Sequence, residues 1–192
     1  MQHRGIIRCL CVAFALWSFA PTVTADAVKP VEKAALSNVA RGVGHIVFAV
    51  RKLGMGGQWY ANVGYYAEGP QRVTYADGTK LLKYNPASGE CIALVEDAGG
   101  GVRDPQVSYD GKTILFSYRK GGSCNYNLYE IGVDGSGLRQ VTDGPFDDIE
   151  PTYLPDGGIM FVSSRCKRWV NCWLTQVAVL YRCDADGKNI RQ

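Results

Sequence analysis

Stretches of this chain repeat one another at a separation of 46 residues, and that period limits the fold before any single residue suggests a chemistry. Leu82 to Asp97 (LKYNPASGECIALVED) matches Leu128 to Asp143 (LYEIGVDGSGLRQVTD), 46 residues further on. Leu82, Gly89, Ile92, Val95 and Asp97 meet Leu128, Gly135, Leu138, Val141 and Asp143. A third copy, Leu180 to Gln192 (LYRCDADGKNIRQ), follows 52 residues after the second. The upstream halves repeat as well: Asp104-Pro105 with Asp110-Gly111 recurs as Glu150-Pro151 with Asp156-Gly157, again 46 apart. A period of about 40–50 residues built from strand-like runs and Asp-Gly turns is the mark of a β-propeller blade. The expected fold is therefore all-β, a propeller of four-stranded blades.

The middle copy shows the four strands best. Gln106 to Tyr109 leads through the turn Asp110-Gly111 into Thr113 to Tyr118, then come Asn127 to Val133, the turn Asp134-Gly135, and Leu138 to Thr142. Asp-Gly between apolar runs favours a tight hairpin, because glycine tolerates positive φ. Both hairpin turns then fall at one end of the blade, and the remaining connections fall at the other. The length changes belong to that second end. His45 to Lys52 (HIVFAVRK) aligns with Thr113 to Lys120 (TILFSYRK) at a separation of 68, so the first copy carries 22 extra residues before its third strand. The third copy carries 6 extra, within Cys166 to Thr175. Loops concentrated on one face of a repeat fold are where binding evolves.

Residues 1–25 read as a secretory signal peptide: Arg4 and Arg8, an apolar run from Cys9 to Ala20, and small residues at Val23-Thr24-Ala25. The run is short for a membrane span, and an uncleaved anchor is the alternative reading. Residues 26–43 form a lead-in and 44–192 a partial propeller domain, placing the mature chain in the periplasm or outside the cell. Losing Arg4 and Arg8 takes the 21 Lys and Arg residues to 19, against 18 Asp and Glu. Near-zero charge offers no electrostatic argument for nucleic acid or a membrane surface as partner, and no span is expected after cleavage. About three blades are present, whereas propellers close with about four to eight. The chain therefore reads as part of a six- to seven-bladed propeller, ending within the fourth strand of its third repeat. Closure by oligomerisation is the second reading.

The runs VSYDGKTILFSYR and LYEIGVDGSGLRQVTD resemble the repeats of TolB-like, WD40-like propellers, which are periplasmic or secreted modules. The runs QWYANVGYY (Gln58 to Tyr66), RDPQVSYDGKTILFSYRKGG, DGPFDDIEPTYLPDG and SRCKRWVNCWLTQVAVLYRCDADGKNIR resemble the propeller-containing family of the hydrazine synthase alpha subunit. That resemblance implies a relation to multi-haem periplasmic oxidoreductases that make hydrazine from nitric oxide and ammonium, although many relatives have no established activity. Covalent haem c needs Cys-x-x-Cys-His, with two thioethers and a histidine on iron. The motif is missing here, and His45 is the only histidine after the leader. Haem c is therefore expected only in sequence beyond Gln192, with no cofactor held by this segment.

Candidate sites carry competing readings. Cys91, Cys124, Cys166, Cys172 and Cys183 remain after cleavage, and in an oxidising compartment pairing is favoured over free thiols or zinc. Cys166 and Cys172 bracket the short insertion and form a candidate disulfide, though connectivity is not readable from sequence. Trp59 and Tyr60 with Tyr65 and Tyr66 crowd the long insertion, and Trp169 and Trp173 crowd the short one. These rings either line a ligand or protein site or plug gaps between loops. Arg51, Arg119 and Arg165 recur at the end of the second strand of each copy. They either grip an anion or, as the stronger reading, bridge blades and cap loop carbonyls. Asp143, Asp147, Asp148 and Glu150 suggest a calcium ligand set, but the spaced-ligand pattern is missing and a solvated acidic loop is preferred. Nucleophilic hydrolysis has no support, because neither a Gly-x-Ser-x-Gly elbow nor a suitably placed histidine base is present. The leading expectation is an exported module, not catalytic in this segment, that binds a protein or small molecule through its loop face. The alternative is the N-terminal part of a redox enzyme of the hydrazine synthase alpha type.

Overall fold

The computed structural model describes residues 42–52, 74–171 and 175–192. Ten strands occur among them: β1 (Ile46–Val50), β2 (Lys80–Tyr84), β3 (Cys91–Glu96), β4 (Gly101–Val107), β5 (Thr113–Arg119), β6 (Asn127–Gly132), β7 (Arg139–Gln140), β8 (Asp148–Tyr153), β9 (Ile159–Ser163) and β10 (Val179–Cys183). They form three antiparallel sheets ordered β1-β2-β3, β4-β5-β6-β7 and β8-β9-β10. Each sheet is one sequence repeat, hence one blade. Blade two has the four strands its sequence calls for, and a bridge between Arg182 and Arg191 starts the fourth strand of blade three. The first strands β4 and β8 pack against each other, as inner strands converging on a propeller axis do.

The Asp-Gly turns form for a repeated local reason. Asp110, Asp134, Asp156 and Asp186 each accept a hydrogen bond on Oδ1 from the backbone amide two residues on, at 3.1, 2.9, 3.0 and 3.0 Å. The glycine that follows each aspartate takes positive φ, between 72° and 87°. This is the Asx turn that these residue types favour.

Two expected boundaries are corrected. The first strand of blade two begins at Gly101, not Gln106, because the ladder continues through a bulge at Asp104-Pro105. Blade three repeats the bulge at Glu150-Pro151, and Asp104 and Glu150 adopt φ of 55° and 53°. Left-handed backbone at a non-glycine residue costs on the order of 1–2 kcal/mol, so something must hold it. Arg103 does so from its buried position, pairing through Nε with Asp104 Oδ2 at 2.5 Å and through Nη2 with Glu150 Oε1 at 3.3 Å. The Glu150 amide in turn donates to Asp104 Oδ2 at 3.2 Å. The recurring acid-proline pair is thus a stitch between neighbouring inner strands.

The second correction concerns register. Gln106 pairs with Leu115 in blade two, whereas its counterpart Thr152 pairs with Met160 in blade three. The strand cores are therefore 45 residues apart, the hairpin of blade three being one residue shorter, and the extra Ser164 restores the separation at Arg165. Ile159 and Phe161 occupy the places of Ile114 and Phe116. Arg119 ends β5 and pairs with Gly101, but Arg165 lies two residues beyond the end of β9. The three arginines do not share one position.

The core is built in seams. Leu81 and Val95 of blade one meet Val102, Ile114, Phe116, Tyr118 and Ile131 of blade two. On the other side of blade two, Leu115, Leu128 and Val141 meet Ile159, Phe161 and Cys183 of blade three. Alternation along β5 explains this, since successive side chains point to opposite faces. Each fully buried Leu, Ile or Phe contributes about 1.5–3 kcal/mol. The blades are held mainly by these apolar contacts.

Candidate functional site

The end of the blades away from the Asp-Gly turns carries the loop segments 51–52, 74–79, 97–100, 120–126, 143–147 and 164–178, and their polar side chains interlock. Arg119, buried at the end of β5, donates through Nη1 to the carbonyls of Gly99 and Ser123 at 3.1 and 3.4 Å. Its Nη2 pairs with Asp77, and its guanidinium lies 4.6 Å from the centroid of the Tyr75 ring. Tyr75 meets Tyr126 edge to face at 5.3 Å, and the Tyr75 hydroxyl donates to the Cys124 carbonyl. Asp97 receives the Gly121 amide and the Tyr118 hydroxyl, both at 2.7 Å. Those bonds, the Gly121 amide foremost, hold its pKa below the ordinary carboxylate value.

A second knot links blades two and three. Arg165 grips the wholly buried Asp148 through Nε at 3.1 Å and Nη2 at 2.7 Å, and it also donates to the Asp143 carbonyl at 2.7 Å. Ser163 Oγ adds a hydrogen bond to Asp148 at 2.6 Å. Phe146 lies between Arg165 and Lys167, 5.0 and 5.4 Å from its ring centroid. Asp147, also wholly buried, accepts the Tyr126 amide at 2.9 Å, while its own amide donates to Ser164 Oγ at 3.0 Å. Burial first, and the neighbouring Asp148 charge second among the raising causes, push the pKa of Asp147 up to about 6.

The expected acidic loop is therefore corrected for two of its four members. Asp147 and Asp148 are buried and committed to protein partners, because a carboxylate taken from water must be paired or hydrogen-bonded. Glu150 faces Arg103. Among the described residues no group of three or more His, Cys, Asp or Glu side chains converges as a metal site. Arg119 and Arg165 each cap loop carbonyls and pair with a carboxylate of the chain. The third, Arg51, has its pKa lowered by burial first and the nearby Arg103 charge second.

Trp169 stands apart. Residues 168–170 pair with residues 175–177, the Val170 amide donating to the Thr175 carbonyl at 2.7 Å and the Val177 amide to the Arg168 carbonyl at 2.8 Å. Trp169 bridges to Gln176, and both Trp169 and Val170 are exposed on this hairpin beside Lys167 and Arg168. Cys166 Sγ lies 3.4 Å from the Val177 carbonyl oxygen at its base. Trp59, Tyr60, Trp173 and Cys172 lie outside the described residues. So the candidate Cys166 and Cys172 pair is not placed, and neither is a common aromatic pocket. A cleft of about 230 Å³ lies on blade one, lined by Lys52, Gly78, Lys80, Glu96, Asp97 and Ala98. Lys80 and Glu96 pair across it, so its charges are largely self-satisfied.

Sequence reasoning missed Arg103, Tyr75, Asp77 and Tyr126. A signal existed for Arg103, which directly precedes the repeated acid-proline pair. For Tyr75 and Asp77 there was none, since they lie in the insertion that breaks the repeat.

No protein-family model matches the chain. Hydrazine synthase subunit alpha of Kuenenia stuttgartiensis is 32% identical over 169 residues, covering 81% of this chain and 19% of that protein. The solved Kuenenia stuttgartiensis hydrazine synthase superposes on 72% of this chain and 21% of its own, with a TM-score of 0.53 at 20% identity. A TolB-type protein from Agrobacterium tumefaciens covers 67% of this chain and 46% of its own, at 21% identity and a TM-score of 0.48. This chain thus spans about one fifth of the length of the curated relative it matches. No Cys-x-x-Cys-His run of the kind that holds covalent haem occurs in the sequence. Cys91, Cys124 and Cys183 lie on separate segments, and Cys183 is wholly buried in the seam with its thiol pushed up to about 11, by burial first. His45 directly precedes β1.

Proposed function

We propose that this chain, a TolB-like β-propeller segment resembling hydrazine synthase subunit alpha, is an exported module that binds a protein or small-molecule partner through its loop face. It performs no chemistry of its own in this segment. The observation that carries the reading is the Trp169 hairpin. Arg119 and Arg165 are committed to internal pairs with Asp77 and Asp148, whereas Trp169 and Val170 present exposed apolar side chains beside Lys167 and Arg168. Aromatic residues with few rotors, flanked by cations, are the residue types that anchor interfaces. The leader-like sequence of residues 1–25 and the resemblance support a periplasmic or secreted placement. Among the described residues no helix is long and apolar enough to cross a membrane.

The test compares the exported protein with its Trp169→Ala variant by crosslinking in the periplasm of its own host. Binding through the hairpin predicts an adduct that the variant loses while its thermal unfolding is unchanged. An adduct equally abundant in the variant would remove the hairpin from the interface.

The identity to hydrazine synthase subunit alpha favours a second reading, in which this is one section of a larger periplasmic redox enzyme with haem bound elsewhere in the polypeptide. A Soret band in the natively expressed protein selects that reading. A colourless protein with complete blades selects the first.

A further inference from the structure

Blade three carries a carboxyl where blade two carries a glycine. Counting 46 residues back from Asp147, the separation of the two acid-proline pairs, gives Gly101, the first residue of β4. Their surroundings correspond too, since Gly101 stands opposite Arg119 and the Asp147 carbonyl accepts the Ser164 amide. Gly101 leaves room for the Tyr126 hydroxyl, which a Cβ there would run into, and the amide of the same Tyr126 donates to Asp147 Oδ1 at 2.9 Å. The fold therefore accepts no side chain at this place in one blade, and a wholly buried carboxyl is not something it requires in the next. A charge here is costly, because a carboxylate taken from water must be paired. Arg165, beyond the end of β9, is already bidentate on the adjoining Asp148. Arg103 of β4 acts on Asp147 only as a nearby charge, with its Nε and Nη2 given to Asp104 and Glu150. Arg119, ending β5, is turned to Asp77. The Tyr126 amide and the Asn125 side chain ahead of β6 supply hydrogen bonds but no charge.

Asp147 also stands where the loop end of this joint is fastened. Its amide donates to Ser164 Oγ and its carbonyl accepts the Ser164 amide, both at 3.0 Å. The Ser164 carbonyl takes the Lys167 amide at 3.0 Å, and Lys167 holds a φ of 52°. The Asp148 amide donates to the Tyr126 carbonyl at 2.8 Å. None of these residues belongs to the apolar seam of Leu115, Leu128, Val141, Ile159, Phe161 and Cys183, so the fastening can part while the seam holds. We propose that Asp147 is a proton-operated latch: neutral, it keeps Tyr126 and Ser164 together, and ionised, it drives a local opening that lets water reach its carboxylate. Local openings of this kind are drawn from loop regions of low stability. Ionisation does strengthen the bond from the Tyr126 amide, but burial first, with the Asp148 charge added, outweighs it and pushes the pKa up to about 6. A raised carboxyl pKa makes the closed state most favourable in acid. Opening is therefore rarest below about pH 4, grows about tenfold per pH unit up to about 6, and levels off at most about 100-fold higher. Acid fixes the segment 164–167 that leads to Trp169 and neutral pH loosens it, whether or not Trp169 binds a partner.

Amide hydrogen exchange of the full exported protein tests this, read by mass spectrometry in peptides carrying Tyr126, Asp148 and Ser164 and corrected at each pH for the exchange rate of unstructured chain. Protection in these peptides should fall by up to about 100-fold between about pH 4 and pH 7. The fall should depend little on urea, because a local opening exposes little surface. Peptides from β5 and β9 should be better protected and steeply dependent on urea, since exchange there needs unfolding. Asp147→Asn keeps an acceptor oxygen and removes the titration, so it should flatten the pH profile. Asp147→Gly, which puts in blade three the residue that blade two carries, should flatten it at Asp148 and Ser164 as well, and it provides the comparison should the asparagine variant fail to fold. Protection that does not change with pH in the wild type overturns the proposal. So does a fall of equal size in the variants, which would assign it to another group. A fall as steep in urea as that of β5 and β9 overturns it equally, because the whole fold is then lost and no latch exists.

Discussion

The two ends of these blades hold carboxylates in opposite ways. At the turn end, Asp110, Asp134, Asp156 and Asp186 are surface groups whose hydrogen bonds lower their pKa values. Side-chain bonds from Ser108, Arg182 and Lys188 come first for Asp110, Asp156 and Asp186, and the Ser136 amide comes first for Asp134, with the other turn bonds adding to them. At the loop end, Asp148 and Asp147 are wholly buried, one answered by an arginine and the other pushed up to about 6. The turn end repeats one local solution because each hairpin meets the same problem. The loop end differs from blade to blade because its insertions differ, and so each buried acid there depends on one particular partner. Sequence regularity therefore marks where a substitution is absorbed locally, and irregularity marks where it is felt across blades.

The largest effect should come from Arg165→Met, which leaves Asp148 buried without its cation. Breaking a buried pair on one side costs about 3–5 kcal/mol, a fall of roughly 10 °C in midpoint for a chain of this size. Differential scanning calorimetry reads it directly. A loss under about 1 kcal/mol would mean that Asp148 relies on Ser163 and water instead, and the contrast between the ends would weaken.

Next comes a test within the turn end itself. Gly187 adopts φ of 82°, and a Cβ there would run into the backbone carbonyl of Val141 in blade two. Gly111 adopts φ of 72° with open space around it. Gly111→Ala should cost only the left-handed backbone term, about 1–2 kcal/mol, whereas Gly187→Ala adds a backbone clash between blades and should cost about 3 kcal/mol. Equal losses in urea unfolding would show that the turn of blade three does not bear on blade two. Arg139 Nη2, donating to the Ala185 carbonyl at 3.1 Å, is the second contact that ties this turn to its neighbour.

Much of this architecture was readable from residues alone, and the failures share a cause. Blades, hairpin ends and the recurrence of Arg119 and Arg165 follow from a period and from Asp-Gly chemistry, both of which are local. The start of β4 was missed because Asp104-Pro105 looks like a strand breaker, and only Arg103 reaching Glu150 makes the bulge tenable. The register of blade three was missed because a shortened hairpin and the added Ser164 cancel in sequence while every β9 side chain between them changes partners. The burial of Asp147 and Asp148 was missed because solvation of an acid is decided by what stands opposite it. Here those groups are the Tyr126 amide and Arg165, 21 and 17 residues away.

The smaller effects set the two ends against each other through pH. With its folded pKa about 6 and an ordinary value of 3.8, Asp147 takes up a proton in the folded state that the unfolded chain has already released. Its contribution to stability is therefore most favourable below about pH 4, declines as pH rises through that window, and is fully unfavourable above about 6. Asp147→Asn keeps an oxygen to accept the Tyr126 amide and removes the charge. It should stabilise the protein by about 2 kcal/mol at neutral pH and by nearly nothing near pH 4. Asp134→Ala should do the reverse and by less. A depressed pKa contributes stability above the ordinary value that is lost as pH falls through the folded one, so this variant should be weaker than wild type at neutral pH and indistinguishable from it in strong acid. Urea midpoints of the two variants measured across this range should therefore diverge in opposite directions from wild type as pH rises. Parallel curves would mean that both carboxylates sit in equivalent surroundings, which the burial of one and the exposure of the other do not allow.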